Sequence, residues 1–116
     1  MPSLTFSRSV AAGGTDFPIQ ALAWAFEQLP YPAAVEVYLR TTAVGVVARL
    51  ITGTEEVQPE TPIQSGGTAG VTPSALNTTP TEFPAAAGDR LGLAIRNTTG
   101  GALTVDGLIK VSPLAI

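Results

Sequence analysis

The stretch Pro30–Thr42, PYPAAVEVYLRTT, carries the clearest secondary-structure signal in the chain. After its two prolines, apolar and polar residues alternate with a period of two, which predicts a β-strand with one face toward a core. The residues expected on the core face are Val35, Val37 and Leu39. Those expected on the opposite face are Glu36, Tyr38 and Arg40. We predict that this second face meets solvent or a neighbouring subunit.

The same alternation recurs on both sides of this stretch. Near the C-terminus, the segments 89–97 and 102–111 alternate around the turn-forming NTTGG and predict a hairpin, with Asp106-Gly107 as a bulge or a second tight turn. Ala43–Gly53 is rich in β-branched residues and predicts a strand with a bulge or bend at Gly45. Leu4–Val10 predicts a first strand or an extended arm.

Two segments are harder to interpret. Residues 17–29 fit a helix, capped by Asp16 with Pro18 in its first turn, or a strand with Leu22, Trp24 and Phe26 on one face. We favour the strand, because the rest of the chain favours strands. Residues 55–84 are dense in Pro, Gly, Thr and Ser, and predict a surface excursion with short edge strands near 56–58 and 68–72.

These patterns together predict the fold class. The chain of 116 residues is expected to form a single domain, residues 1–116, with a possible N-terminal arm at 1–14 and the excursion at 55–84. Seven or eight strands separated by turns, with no convincing helix outside 17–29, are typical of an all-β antiparallel sandwich of jelly-roll-like type.

The composition argues against an enzyme. The chain has no histidine and no cysteine, so Ser-His-Asp triads, thiolate nucleophiles and the usual zinc sites are excluded. The glycine-rich SGGTAG at 65–70 lacks the Lys-Thr/Ser of a phosphate loop and is interpreted as a turn. Glu55, Glu56 and Glu60 lie close in sequence; a solvated loop is favoured over a cation site or a catalytic pair. We therefore expect no catalytic residues, no cofactor and no metal.

Charge and hydropathy limit the partners. The net charge is −3 and the six basic residues are scattered, so nucleic acid is not expected as a direct partner. The longest apolar stretch, 43–51, is too short to cross a membrane, and the N-terminus lacks a secretion-signal pattern, so synthesis in a cytoplasm is expected. Charged residues make up 13%, about half the usual share. Such a surface is either covered by a partner or rich in neutral hydroxyls.

The candidate contact residues are few. Four of them form the predicted interface: Tyr31, Glu36, Tyr38 and Arg40. The aromatic side chains predict core packing or a sugar-binding platform: Trp24, Phe26, Tyr31 and Tyr38. Asn77 and Asn97 each begin an NTT sequence that matches the glycosylation sequon, but turn-forming asparagines explain both.

Two segments, LPYPAAVEVYLRTT at 29–42 and AAGDRLGLAIRNTTGGALTVDGLIKVSP at 86–113, resemble the small jelly-roll decoration, or cement, proteins of tailed bacteriophages. The resemblance covers about a third of the chain. It implies a non-enzymatic virion protein, made in the host bacterial cytoplasm, that binds the major capsid protein on the capsid exterior as a homotrimer. The alternative is a carbohydrate-binding or adaptor module of a tail fibre or spike.

Overall fold

The computed structural model describes residues 3–22, 24–67, 73, 78 and 81–113, with only the backbone of Ala25. The described residues form eight strands, which in chain order are β1 (Ser3–Val10), β2 (Thr15–Asp16), β3 (Ala33–Thr41), β4 (Val46–Thr52), β5 (Glu55–Pro62), β6 (Thr81–Ala85), β7 (Leu91–Asn97) and β8 (Leu103–Pro113). Between β2 and β3 lie a short helix, α1 (Pro18–Ala21), and a 3-10 turn (Ala25–Glu27).

The strands form two four-stranded antiparallel sheets. Sheet 1 has the order β1-β8-β3-β6 and sheet 2 the order β2-β7-β4-β5. The first strand thus pairs with the last, the second with the seventh, the third with the sixth and the fourth with the fifth. One long hairpin rolled into a two-layer sandwich gives this order, which is that of a jelly roll. The predicted fold class is confirmed.

The core lies between the two sheets and follows the predicted alternation. Val35, Val37 and Leu39 on β3 are all buried, as the sequence indicated. They pack with the inward-facing residues of β7 and β8, such as Ile95 and Ile109, both 0% exposed. Burial of apolar surface at about 25 cal/mol per Å² is the main stabilising term for such a core.

Two tight turns contain a glycine with positive φ, and one of them is the predicted bend at Gly45. Gly45 has a φ of 120° in the β3–β4 connection and Gly53 a φ of 61° in the β4–β5 turn, a conformation that favours glycine. The β7–β8 connection is organised by Asn97, which is fully buried. Its Nδ2 donates to the carbonyls of Val10 (3.0 Å) and Gly101 (2.8 Å). Its Oδ1 accepts from the backbone N–H and the hydroxyl of Thr99 (2.9 and 2.7 Å). A turn role for Asn97 is therefore confirmed; Asn77 lies outside the described residues.

The prediction for Asp106-Gly107 is wrong. β8 runs without interruption past both residues, and Gly107 is paired with Phe6 on one side and Leu39 on the other. The glycine is there for space: a Cβ at this position would overlap the ring of Phe6. A glycine in a strand therefore marks a close approach here and not a bend.

The edge strands match the sequence in part. The predicted strand near 56–58 lies within β5, an edge of sheet 2. Three prolines occupy edge strands, as expected: Pro59 and Pro62 in β5 and Pro84 in β6. β6 itself was not predicted, and the predicted strand at 68–72 lies outside the described residues. At the N-terminus, residues 3–10 form the strand β1 and not an arm.

The strand prediction for residues 17–29 is wrong. The proline at the start of α1 suits a first helical turn, because its missing N–H has no partner to lose there. Asp16 does not cap this helix; Phe17 occupies the N-cap position without a side-chain hydrogen bond. The segment is short and irregular because it crosses from sheet 2 to sheet 1, burying Ile19 and Leu29 while Leu22 stays 42% exposed.

Candidate interaction surfaces

Tyr38 lies on the outward side of β3, as predicted, but its side chain is only 3% exposed. Its hydroxyl donates a 2.6 Å hydrogen bond to Glu36 Oε2, and the Lys110 ammonium lies 5.5 Å from the centre of its ring. The hydrogen bond to Glu36, then burial, raises the pKa of Tyr38 above its ordinary value of 10.0. Tyr38 is thus engaged within the chain and offers no free contact surface.

Arg40 is likewise used inside the chain. Its Nη2 donates to the carbonyl of Gly66 at 3.2 Å. The backbone of the same segment is bonded to β3, with Thr41 N–H donating to Gln64 and Gly67 N–H to Thr41. Arg40 therefore helps to fasten residues 64–67 against sheet 1. Its assignment to an intermolecular interface stays a prediction.

Tyr31 lies apart from these residues, in a cluster with two other aromatic side chains. The Trp24 and Phe26 ring centres are 5.8 Å apart, and those of Phe26 and Tyr31 are 6.3 Å apart. The rings are tilted by 48° and 53°, so they do not form a flat platform. Trp24 and Tyr31 pack against the core. The core-packing interpretation fits these contacts better than the sugar-platform interpretation.

The outer face of sheet 2 is a more open surface, which the sequence did not single out. It carries a shallow depression of about 520 Å³ whose lining includes Phe17 and Ala94. Phe17 is 48% exposed, which makes it one of three exposed large apolar side chains among the described residues, with Leu22 and Val44. We call this depression, together with the charged side chains that border it, the sheet 2 face. These charged residues are Arg49, Glu56, Glu60 and Arg96.

The charges of the sheet 2 face are paired. Arg96 makes two hydrogen bonds to Glu60, at 2.7 and 3.0 Å, and Arg49 lies 3.2 Å from Glu56. The bond from Arg96 lowers the pKa of Glu60, and Glu60 in turn raises that of Arg96. The face is therefore locally neutral. The spacing of Glu56 and Glu60 indicates a shared face of a strand, but their partners depend on register, which the sequence does not show.

These pairs also bear on the predicted glutamate loop. Glu55, Glu56 and Glu60 are exposed, as expected, but they belong to strand β5 and not to a loop. Within the described part of the chain, no three acidic side chains gather closely enough to hold a metal ion.

A cavity of about 190 Å³ opens between sheet 1 and β5. Its walls include Val37, Leu39, Gln58 and Thr81, and the Thr81 hydroxyl donates to Gln58 at 3.0 Å. Ligand pockets usually enclose about 300–1,000 Å³. This cavity is smaller, so we regard it as incomplete packing at the open side of the sandwich.

Comparison with known proteins does not assign the chain to a family. No protein-family model matches it, and no curated protein matches it. Among the described residues, no helix is long and apolar enough to cross a membrane. The function is therefore inferred from the fold and the surfaces.

Proposed function

We propose that this chain is a structural virion protein, a decoration protein that binds the major capsid protein on the exterior of a tailed-phage head. The jelly-roll strand order carries the proposal, because that architecture is shared by viral capsid domains, lectin domains and cupins. The absence of histidine and cysteine from the sequence favours an assembly role over a catalytic one. The resemblance of residues 29–42 and 86–113 to cement proteins points the same way.

The sheet 2 face is the surface that we propose to meet the capsid. Its charges are already paired, so docking does not leave an isolated charge without a partner. Burial of the exposed half of Phe17 contributes roughly 1 kcal/mol per copy. A trimer that binds three equivalent sites at once raises the overall affinity well above that of one such weak contact, because the second and third contacts form at a high effective concentration.

The test is cosedimentation of the purified chain with heads of the same phage that lack it. We expect saturable binding at a fixed number of copies per head. Phe17→Asp places a charge on the sheet 2 face and is expected to reduce binding. Val44→Asp is the matched control, because Val44 is 78% exposed and lies in the β3–β4 connection. Failure of the unaltered chain to bind heads contradicts the proposal.

A carbohydrate-binding module is the second candidate. The observation that favours it is the depression itself, since an exposed aromatic ring beside Arg and Glu side chains suits the stacking and hydrogen bonding of a sugar. Binding to a glycan array that is lost in Phe17→Ala and retained in Val44→Ala supports this candidate. An array without a hit removes it.

A further inference from the structure

The four edge strands of the sandwich differ in how they resist pairing with another strand. β2 has only two residues, and β6 has five with Pro84 among them. β5 contains Pro59 and Pro62, and its register with β4 is irregular. Short length, proline and irregular register are among the common protections of an exposed edge. Three of the four edges are therefore protected.

β1 lacks those protections. Its eight residues pair with β8 in unbroken register, from Ser3 opposite Lys110 to Val10 opposite Leu103. It contains no proline and no glycine, and in the described part of the chain no strand pairs with its other edge. In such a strand, the backbone N–H and C=O groups of every second residue point outward from the edge, in the plane of the sheet. They need a hydrogen-bond partner, which is water or another strand.

The one charged residue of β1 is already paired within the chain. Arg8 points toward sheet 2, where it makes hydrogen bonds of 2.9 and 3.1 Å to Asp16 on β2. This pairing raises the pKa of Arg8 and links β1 to β2 at one side of the sandwich. The outward-facing side chains of β1 are all small and neutral: Ser3, Thr5, Ser7 and Ser9.

We infer that the free edge of β1 pairs with the same edge of a second copy of this chain, antiparallel about a two-fold axis. Directly opposite residues in such a pair share a face, so serine and threonine hydroxyls meet hydroxyls and no like charges meet. A ring would instead pair β1 with a different edge of its neighbour, and those edges are protected. The two-fold pair uses the β1 edges of both copies and forms one continuous eight-stranded sheet with β6 at each end. Because β6 contains Pro84, the sheet does not extend further.

This inference does not rest on the proposed capsid function. An antiparallel strand pair has two-fold symmetry, so a trimer uses another surface of the molecule. The isolated chain is then a dimer if only the β1 edge associates, and a larger even-numbered assembly if both surfaces do. Heads need not be present for the test, so failure of head binding and failure of β1 pairing are separate results.

Cysteine cross-linking tests the contact directly, because the chain has no cysteine of its own. Single variants Thr5→Cys, Ser7→Cys and Ser9→Cys are oxidised alone and in mixtures. If Ser7 lies opposite Ser7 of the second copy, S7C links to S7C. If Phe6 lies opposite Phe6 of the second copy, Thr5 lies opposite Ser7, and T5C links to S7C. We expect one in-register combination to link about tenfold faster than Thr61→Cys, the control on the protected edge β5, because disulfides demand close Cβ atoms. Equal rates for β1 and control cysteines overturn the inference.

Dimer affinity is the second measurement. In the double variant T5K/S7K, lysines oppose each other across the proposed pair, and we expect the dimer dissociation constant to rise about tenfold or more. Both positions are exposed, so the variant keeps its fold, which its urea transition verifies. Thr61→Lys is the matched control. A wild-type chain that stays monomeric up to about millimolar concentration, or a dimer that tolerates T5K/S7K, overturns the inference.

Discussion

The close contact between Gly107 and Phe6 makes a sharp prediction about the core of sheet 1. The two residues are directly opposite each other on β8 and β1, and the Phe6 ring is 7% exposed. A Cβ added at Gly107 would lie closer than 3.0 Å to three carbons of that ring. Gly107→Ala therefore forces the ring or the strand to move.

The expected cost is that of overpacking a core, about 1–3 kcal/mol of the free energy of unfolding. Replacing the ring removes the obstacle, so the same substitution in a Phe6→Leu background should cost almost nothing. The double-mutant cycle thus predicts a coupling energy of about 1–3 kcal/mol between Phe6 and Gly107.

Equilibrium unfolding in urea measures all four proteins of this cycle. Trp24 is the single tryptophan and reports the transition by fluorescence. Equal slopes of free energy against urea concentration are needed for the comparison. If the two substitutions are additive, or if Gly107→Ala alone is neutral, the explanation of Gly107 by ring packing is refuted.

Three further predictions concern polar contacts. Asn97→Ala is expected to lower the free energy of unfolding in urea by about 3 kcal/mol, because four hydrogen bonds are lost at a buried site; an unchanged transition contradicts this. Since Arg96 lowers the pKa of Glu60, their pairing stabilises the fold above the ordinary glutamate pKa of 4.5 and is lost as the pH falls through the lowered value. Thermal unfolding of Glu60→Gln should therefore depend less on pH in that acid range, and an identical profile refutes it. Because the pKa of Tyr38 is raised in the folded state, its contribution to stability is fully present below pH 10 and is lost as the pH rises through the raised value. Above pH 10, the free energy of unfolding in urea should therefore fall more for wild type than for Tyr38→Phe, and equal losses contradict this.

The strands whose apolar and polar residues alternate could be predicted from the sequence. Segments whose structure depends on their position in the sandwich could not. The alternation of β3, β7 and β8 is strong because each buries one face in a shared core. The strand prediction for residues 17–29 was wrong because both a helical and a strand period fit this segment. The need to cross between the sheets selected a short helix and a 3-10 turn. Strand β6 was missed because Pro84 lowers its strand signal, although an edge position tolerates it.

The candidate contact residues were harder to predict than the strands. Alternation placed Tyr38 and Arg40 on the outward face correctly, but it does not show what covers an outward face. Residues 64–67, more than twenty positions along the chain, form hydrogen bonds with Arg40 and the backbone of Thr41. The Tyr38 hydroxyl donates a hydrogen bond to Glu36. Phe17 was overlooked for the opposite reason: it is apolar, and only the structure shows that it remains exposed.

The jelly-roll order explains why the surfaces of this chain depend on register. Strands that are distant in sequence lie side by side in each sheet. Arg96 on β7 therefore meets Glu60 on β5 across β4, and Arg8 on β1 meets Asp16 on β2, only after the hairpin is rolled. Three of the five arginines are neutralised by these pairs, including Arg49 with Glu56. Long-range steering by charge is then weak, and association depends on contact between neutral surfaces. An unprotected strand edge supplies such a contact through backbone hydrogen bonds, which is why the edge of β1 and the sheet 2 face, and not the scattered charges, are where we expect partners.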